Sequence, residues 1–574
     1  MFCEKFVDNY FAICLQPLSD HRDRLFFVFL DITSDDWCPD SKKRGYQMKK
    51  RRTLFLLIAL TLSMVVGTFS VNADDKTPEN EFRVGMETAY APFNWTQTSD
   101  AHGAVLKNGE KNSYAGGYDV EIAKRVAEGL GKELVIVPTQ WDGLVPALTS
   151  GSIDAIIAGM SPTEERRQVI DFTDPYYESR LVVVTRKNSE FANATSLADF
   201  AGAKITGQLN TFHYSVVDQI PDVVYQDPMK DFSAMRVALA SGIIDGYVSE
   251  RPEGVTATNV NENLTMIEFA PEDGFQTEPE DVQVAIGMRK NDPLVQDVNQ
   301  ILAGISAEER TELMDLAIQN QPSASQEGDM NLWSTLKQIM SEYGILFLQG
   351  AGLTLLIAIF STFAGTLIGL LVGVFRTLPQ SDQPLTRFMQ KLGDWLLTIY
   401  IEVFRGTPMM VQAMVIFYGL ALAFGIDLNR TIAALLIVSI NTGAYMSEIV
   451  RGGIFAVDKG QFEAAQAIGM THTQTMRKIV LPQVVRNILP AIGNETVVNI
   501  KDTAVLSVIS VGDLFFQGTA AAGTNYLFFQ TFLIVGLIYL VMTLSATRLL
   551  RLMEKKIDGP DAFTKVEEPI EGQR

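Results

Sequence analysis

The 574-residue sequence predicts a multidomain protein, with an α/β domain of two lobes followed by an all-α transmembrane domain of five spans. Charge is partitioned along the chain: residues 74–330 hold 42 acidic and 19 basic residues, whereas residues 331–574 hold 17 and 18. Short apolar strands alternate with helical patterns in the first segment, and long apolar runs occupy the second. A single uniform globular protein is therefore excluded. The net charge of −20 argues against nucleic-acid binding.

A secretory signal peptide is predicted over residues 48–73. The basic stretch Met48–Arg52 precedes an apolar run from Leu54 to Val66 and then the small-residue pattern Val71-Asn72-Ala73. Because a cleavable signal rarely begins inside a chain, we interpret residues 1–47 as a mis-called upstream extension. The alternative is a cytosolic tail followed by an uncleaved anchor.

Cysteine and histidine usage excludes several kinds of site. The three cysteines, Cys3, Cys14 and Cys38, all lie within residues 1–47. A disulfide scaffold, a thiolate metal site and a cysteine nucleophile are therefore not expected in the main body. The four histidines show no ligand-like spacing, so we expect no bound metal.

The segment from residue 82 to residue 318 alternates strands with amphipathic helices, which predicts open parallel sheets. The predicted strands are 83–85, 134–137, 153–158, 181–185, 203–206, 245–248 and 282–286, and the predicted helices are 119–130, 144–150, 197–200, 234–241 and 294–305. The cycle restarts after Arg186, so we expect one lobe formed by 82–185 and 282–318 and another formed by 186–281. The chain would cross between the lobes near Thr185–Arg186 and near Asp281. A ligand would lie at the carboxyl ends of the strands.

Four motifs follow one another in the first lobe. They are Gly85-Met86-Glu87 with Tyr90-Ala91-Pro92-Phe93, Gly117 to Ala123, Trp141 to Leu148, and Asp154 to Arg166 followed by Asp171 to Tyr177. In this order and spacing they resemble the extracellular solute-binding proteins of polar amino acid ABC importers. The resemblance covers essentially all of residues 82–318, and it implies a bilobed, periplasmic-binding-protein-like fold that closes on its ligand.

The resemblance also implies a site for both charged ends of an amino acid. It assigns the ligand carboxylate to Arg166, with the backbone around Gly159 and the hydroxyls of Ser161 and Thr211 beside it. It assigns the ligand ammonium to Glu250. A planar guanidinium suits a carboxylate better than a lysine ammonium does, so the arginine fits this role. Out of context, Arg166 could lie on a solvated helix face, and Glu250 could form a surface ion pair.

Three further residues would surround the ligand side chain. Tyr90 and Phe93 would flank it, although aromatic residues near a strand end are commonly core. Trp141 could also reach the pocket, with core packing as the alternative. Glu87 on the same side would favour a cationic or amide-bearing side chain; otherwise it is a loop carboxylate. Asn210 stands where the family commonly has a glycine, next to Thr211.

Long apolar stretches predict transmembrane helices at 345–375, 409–424, 431–447 and 526–547. Basic residues in 376–394, in 451–486 and after 547 place these three segments inside the cell. Because both 451–486 and the tail are inside, a further crossing must lie within 490–518, which gives five spans. We therefore expect a solute-binding domain at 74–318, a linker at 319–332, a transmembrane domain at 333–560 and a cytoplasmic tail at 561–574.

The large cytoplasmic loop carries a second resemblance, to the EAA loop of ABC importer permeases. The matching residues are Glu463, Ala464, Ala465, Gly469, Leu481 and Pro482. In that family the loop docks on the ATPase, which implies a coupling role; the alternative is an ordinary amphipathic surface helix. The stretches 402–408 and 501–503 resemble the polar amino acid branch, the histidine, glutamine and arginine type.

Polar residues inside or beside the predicted spans are candidates for a translocation path, because such residues are costly in a bilayer. They are Glu402, Asn441, Glu448, Asn494 and Glu495. The alternative is structural pairing near the cytoplasmic side.

The two resemblances together imply a cell-membrane subunit of an ATP-driven amino acid importer in which binding protein and permease are fused. The sequence has no Gly-x-x-x-x-Gly-Lys-Ser/Thr loop, so a separate ATPase subunit, expected as a homodimer, would hydrolyse ATP. We expect no cofactor on this chain and self-association of the permease domain. The alternatives are a ligand-gated channel and a sensor with the same binding fold. Glutamine, asparagine and the basic amino acids stay open as ligands.

Overall fold

The computed structural model describes residues 80–322, 331–426 and 428–558. The predicted upstream extension, signal peptide and cytoplasmic tail lie outside these described residues, as does most of the predicted linker. The strands are β1 Glu81–Met86, β2 Ala89–Tyr90, β3 Asn94–Gln97, β4 Val105–Leu106, β5 Tyr114–Gly116, β6 Glu133–Pro138, β7 Ala155–Ile156, β8 Asp171–Glu178, β9 Leu181–Arg186, β10 Lys204–Thr206, β11 Val224–Tyr225, β12 Gly246–Glu250, β13 Leu264–Glu268 and β14 Gln283–Met288.

The helices fall into two groups. Those of the amino-terminal α/β part are α1 Tyr118–Gly129, α2 Leu144–Thr149, α3 Glu164–Arg167, α4 Phe212–Ser215, α5 Phe232–Ala240, α6 Arg251–Val260, α7 Leu294–Ala303 and α8 Ala307–Asn320. Those of the carboxyl-terminal part are α9 Leu332–Arg376, α10 Pro384–Gly406, α11 Met409–Phe424, α12 Arg430–Phe455, α13 Lys459–Ala467, α14 His472–Thr475, α15 Leu481–Asp502, α16 Leu514–Asn525 and α17 Phe528–Asp558.

Two five-stranded sheets form the two lobes. The first has the order β6-β1-β7-β14-β8 and the second the order β11-β10-β12-β9-β13. The prediction of open parallel sheets is wrong, because each sheet is mixed. In the first sheet β14 runs antiparallel to β7, and in the second β9 runs antiparallel to β12. Strands β9 and β14 are the first strands after the two crossings between lobes. Each runs antiparallel to the βα strand beside it in its new sheet.

The first crossing lies earlier than the sequence predicts. Strand β8 pairs with β14 in the first sheet, whereas β9 pairs with β12 and β13 in the second. The chain therefore crosses at residues 179–180, and Leu181–Arg186 belongs to the second lobe rather than to the first. Residues 182–185 are buried because β9 has a paired strand on each side. The second crossing falls between β13 and β14, near Asp281 as expected.

A small sheet of order β2-β3-β5-β4 extends the first lobe, and the sequence does not predict it. Its strands are two to four residues long, too short for an alternating pattern to be visible. Gly117 follows this sheet with a φ of +124°, and a Cβ atom there would lie 2.3 Å from the Phe93 carbonyl oxygen. Only glycine fits this close approach, which fixes the turn between β2 and β3 that contains Phe93 and directly follows Tyr90.

Among the described residues, α9, α12 and α17 are each long and apolar enough to cross a membrane. Two further pairs qualify as bent spans: α10 with α11, bent by 115°, and residues 472–509 with α16, bent by 58°. Counting each bent pair as one span gives up to five, which agrees with the predicted number. The first bend lies at Thr407-Pro408, where proline interrupts the helix.

Glycines bring α9 and α12 close together. Gly365, Gly369 and Gly373 follow one another at four-residue spacing on α9. A Cβ atom on Gly369 would lie 2.5 Å from the Cβ of Met446 on α12. Small residues at such spacing let two membrane helices approach closely, and van der Waals packing then stabilises the pair.

We expect Gly369→Ala to destabilise the full-length protein by about 1–3 kcal/mol, because the added methyl group overpacks this contact. Gly352→Ala on the same helix is the matched control, since a Cβ atom there has no neighbour within 4 Å. The measurement is the apparent thermal unfolding midpoint of each variant in detergent. Equal midpoints for the two variants would contradict the close packing of α9 on α12.

Candidate functional site

The cleft between the lobes brings the predicted ligand residues together. Seven of the eight line one cavity: Glu87, Tyr90, Gly159, Ser161, Arg166, Thr211 and Glu250. The eighth, Phe93, stacks behind Tyr90 with 5.0 Å between ring centroids. The carboxyl ends of β1, β7, β10 and β12 point at this cavity from opposite lobes, as expected for α/β sheets.

Arg166 holds a bridging position. It lies on α3, and its Nη1 donates to the Ser161 carbonyl oxygen at 2.8 Å. Its Nη2 donates across the cleft to the Asn210 carbonyl oxygen at 3.2 Å, and its guanidinium lies 5.2 Å from the Trp141 ring centroid. Burial lowers the pKa of Arg166 to about 10, so the group stays cationic at neutral pH. A guanidinium has five N–H donors, so donors remain for a carboxylate ligand.

Two residues with left-handed backbones shape the walls around this arginine. Gly159 has a φ of +63°, and a Cβ atom there would lie 2.7 Å from the Tyr90 ring. Asn210 has a φ of +59°, a conformation that asparagine tolerates better than most residues. The asparagine therefore adopts the left-handed backbone for which a glycine is commonly used.

Glu250 ends β12 in the second lobe and faces Tyr90 in the first. The Tyr90 hydroxyl donates to the Glu250 carboxylate in a short contact that bridges the lobes. Burial and this carboxylate raise the pKa of Tyr90 well above its usual range. The Nε2 atom of His213 lies 3.4 Å from the same carboxylate, and its Nδ1 lies 3.1 Å from the Thr211 hydroxyl.

Glu87 follows β1 and lies at another side of the cavity. Burial raises its pKa from 4.5 to about 8, and the nearby Asp231 and Asp142 act in the same direction. The Lys230 ammonium opposes this shift. The carboxyl group of Glu87 is therefore mostly protonated at neutral pH.

Three further cavity residues, Gln208, Phe212 and His213, were not predicted. Trp141, which lies in one of the family motifs, also lines the cavity, so the pocket rather than the core alternative applies to it. Phe232 was also missed, and it stacks on Tyr90 with 5.0 Å between centroids. His213 could have been found from its position two residues after Thr211, because both lie at the start of α4.

The predicted coupling residues lie on one helix and the segments that follow it. Glu463 and Ala464 are exposed on α13, whereas Ala465 is buried. Gly469 ends this helix with a φ of +79°, a conformation typical of glycine at a helix carboxyl terminus. Leu481 and Pro482 form the first turn of α15, directly after a π-helical turn at Met476–Val480.

The five candidates for a translocation path have different surroundings. Glu448 accepts hydrogen bonds from Arg376 at 2.7 Å and Arg451 at 2.6 Å, which matches the alternative of structural pairing. Asn441 donates to Gln412 at 2.9 Å. The remaining three are Glu402 and Asn494, both exposed, and Glu495, half-buried.

A buried polar cluster in the helical part was not predicted. Asn499 on α15 donates to the Thr362 hydroxyl on α9 at 2.9 Å and to the Thr442 hydroxyl on α12 at 3.0 Å. Such hydrogen bonds hold three membrane helices together.

Two family models match the chain. Residues 82–315 match the bacterial extracellular solute-binding proteins, family 3. Residues 365–559 match the binding-protein-dependent transport system inner membrane component.

Known proteins are similar to each part. The arginine transport system permease protein ArtQ of Bacillus subtilis (strain 168) is 35% identical over 37% of this chain and 93% of its own length. The glutamine transport system permease protein GlnP of Escherichia coli (strain K12) is also 35% identical, again over 37% and 93%. A crystal structure of the substrate binding protein of an amino acid ABC transporter covers 42% of this chain and all of its own chain, with 25% identity and a TM-score of 0.35.

The two family matches and the apolar helices together indicate where the molecule lies in the cell. The apolar helices make it a multi-pass membrane protein, with the solute-binding part on the extracytoplasmic side. The chain belongs to the binding-protein-dependent transport system inner membrane components of amino acid ABC transporters, with a family 3 extracellular solute-binding domain in the same polypeptide.

Proposed function

We propose that this importer captures a polar amino acid, one with an amide-bearing or a cationic side chain. The observation that carries the proposal is the placement of Arg166, Glu250 and Glu87 around one cavity. A fixed cation and a fixed anion match the two charged ends of an amino acid. A further acid then matches a side chain that offers N–H donors.

The residues around the cavity would each contact a different part of the amino acid. Arg166 binds the ligand carboxylate with help from the Ser161 and Thr211 hydroxyls. Glu250 binds the ammonium, and its present partner, the Tyr90 hydroxyl, yields to the stronger charged donor. The Tyr90 ring gives the ligand side chain an apolar wall, and the Phe93 ring stacks behind it as support.

Glu87 then decides how ligand affinity depends on pH. Because the pKa of Glu87 is about 8, its carboxyl group is protonated at neutral pH when the cleft is empty. A cationic side chain stabilises the ionised form, so binding lowers this pKa and releases a proton. The affinity for a cationic ligand therefore rises with pH up to about 8 and then levels off, whereas the affinity for glutamine stays flat over that range.

We expect Glu87→Gln to weaken the binding of arginine roughly 10- to 100-fold, as the loss of a charged hydrogen bond would. The variant should change glutamine binding less than threefold and remove the pH dependence. The measurement is calorimetric titration of the full-length protein with both amino acids between pH 6 and 9. Glu164→Gln, which changes an exposed acid on α3, is the control. Equal losses in both variants would contradict the role of Glu87.

Transport needs a partner that supplies energy. This chain is a transport subunit, and in such systems a separate ATPase subunit hydrolyses ATP. We assign residues 74–318 to the solute-binding domain and 333–560 to the permease domain. The permease domain pairs with a second copy, and an ATPase homodimer docks on the segment from Glu463 to Pro482. No cofactor is assigned to this chain.

Uptake of labelled amino acid into membrane vesicles tests this function. We expect ATP-dependent uptake only when the ATPase subunit is co-expressed. Uptake that proceeds without any ATPase would contradict the importer and favour a channel.

A further inference from the structure

The solute-binding part contacts the permease part through both lobes, but unequally. The first lobe contributes several contacts, formed by strands β2 and β3 and by the segment after β6. Hydrogen bonds that cross this boundary include Thr96 N to Thr524 Oγ1 (3.3 Å), Gln140 N to Ser510 Oγ (3.2 Å) and Arg430 Nη1 to Pro138 O (2.7 Å). On the permease side, Arg430 begins α12, Ser510 lies just before α16 and Thr524 lies near its end. The first lobe is therefore held to the permease by several independent contacts.

The second lobe contacts the permease through helix α5, which lies against α17 and carries Arg236. The Arg236 guanidinium lies 4.6 Å from the ring centroid of Tyr526, the first of the two residues between α16 and α17. Such a cation above an aromatic ring is an attractive contact, stronger where water is excluded. Arg236 is 9% exposed, so this contact is largely dry.

Arg236 is fixed rigidly within its lobe. Its guanidinium forms an ion pair with the fully buried Glu253 at 2.6 Å. Glu253 in turn accepts hydrogen bonds from Ser249 at 2.6 Å and from Tyr247 at 3.2 Å, both on β12. Strand β12 ends at Glu250, the acid that faces the cavity. The position of Arg236 therefore follows the position of the ligand-facing end of the second lobe.

Helix α5 also connects this arginine directly to the cleft. Phe232, one turn before Arg236, stacks on Tyr90 with 5.0 Å between ring centroids and 10° between ring planes. Tyr90 belongs to the first lobe and Phe232 to the second, so this stack forms only when the lobes are together. One short helix thus touches the closed cleft at its first turn and the permease at its second.

The backbone of Tyr526 adopts a conformation that is uncommon for a tyrosine. Its φ of +59° lies in the left-handed region, at the carboxyl end of α16, where glycine is the usual residue. A bulky side chain is an outlier in that conformation, and such strain is concentrated at functional positions. Position 526 therefore carries a tyrosine although its backbone conformation favours glycine. The ring of this tyrosine contacts the Arg236 guanidinium.

We propose that the contact between Arg236 and Tyr526 is the point at which the permease senses closure of the binding lobes. When the lobes open about the crossings at 179–180 and near 281, the contacts of the first lobe persist. The second lobe then moves as a body and withdraws Arg236 from the Tyr526 ring. Ligand binding restores the contact and so reports an occupied cleft to α16 and α17. This inference rests on the proposed importer function.

The test uses the full-length protein with its ATPase subunit in lipid nanodiscs. Tyr526→Leu removes the ring, whereas Tyr526→Phe keeps it and is the matched control. These changes leave the ion pair of Arg236 with Glu253 intact, which a change at Arg236 would not. We expect Tyr526→Leu to reduce the stimulation of ATP hydrolysis by glutamine or arginine at least fivefold, with basal hydrolysis unchanged. Tyr526→Phe should retain the stimulation.

Ligand binding is measured on the same samples by calorimetry. We expect both variants to bind the amino acid within threefold of the wild type, which also shows that they are folded. If Tyr526→Leu fails to fold, Tyr526→Gly removes the ring and suits the left-handed backbone. Stimulation at the wild-type level in a variant without the ring would overturn the sensing role alone. A wild-type protein that binds none of glutamine, asparagine, arginine, lysine and histidine would overturn the proposed function, and the sensing role with it.

Discussion

Arg166→Met is expected to weaken amino acid binding by the full-length protein at least 100-fold. The substitution removes the cation that faces the ligand carboxylate in a closed cleft. Leaving a buried charge without its partner costs about 3–5 kcal/mol. Arg166→Lys should recover only part of the loss, because an ammonium cannot form the paired hydrogen bonds of a guanidinium. Calorimetric titration with glutamine and with arginine measures both variants.

The neighbouring arginine provides the control. Arg167 also lies on α3, but it donates to the Pro162 carbonyl oxygen at 3.0 Å and lies over the Phe172 ring, away from the cavity. Arg167→Met should therefore change the affinity less than threefold. Wild-type affinity in Arg166→Met, or an equal loss in the two variants, would show that the carboxylate is bound elsewhere.

The first-lobe residues of this cleft could be located from the sequence for a local physical reason. Gly159, Ser161 and Arg166 lie within eight residues of one another, so a local motif fixes their relation. From the other lobe, His213 reaches the cavity and Phe232 stacks on Tyr90, and both lie more than 40 residues further along the chain. Their position depends on how far the lobes close, and no local pattern encodes that distance.

The boundary between the lobes could not be located from the sequence. The composition of the apolar run Leu181–Thr185 is compatible with the last strand of the first lobe and with the first strand of the second lobe. No glycine or proline marks the crossing at 179–180, so composition gave no signal there. Pairing with β12 settles the assignment, and pairing is a long-range property.

The membrane part was predictable in number but not in shape. Apolar length and the sorting of basic residues to one side determine how many times the chain crosses. They carry no information on bends, and two of the five candidate spans are bent pairs. Pro408 marks one bend in advance, because proline cannot continue the hydrogen bonding of α10 into α11.

Gly469→Val is expected to reduce ATP-dependent uptake at least tenfold while leaving amino acid binding unchanged. The φ of +79° at Gly469 ends α13 and turns the chain toward Thr471, which begins the next helix. An L-residue in this conformation costs about 1–2 kcal/mol, and a branched Cβ is the least tolerant. The turn would then rearrange and displace the exposed Glu463 and Ala464 from the surface proposed to meet the ATPase.

The expected loss has its origin in the backbone and not in a clash. A Cβ atom at Gly469 would have no neighbour within 4 Å, and the same is true at Gly452 on α12. Gly452 has no positive φ, so Gly452→Val adds the same side chain without the backbone penalty and should transport normally. Vesicle uptake and co-purification of the ATPase are measured for both variants. If Gly469→Val transports and retains the ATPase as well as Gly452→Val does, then the turn after α13 does not couple the two subunits.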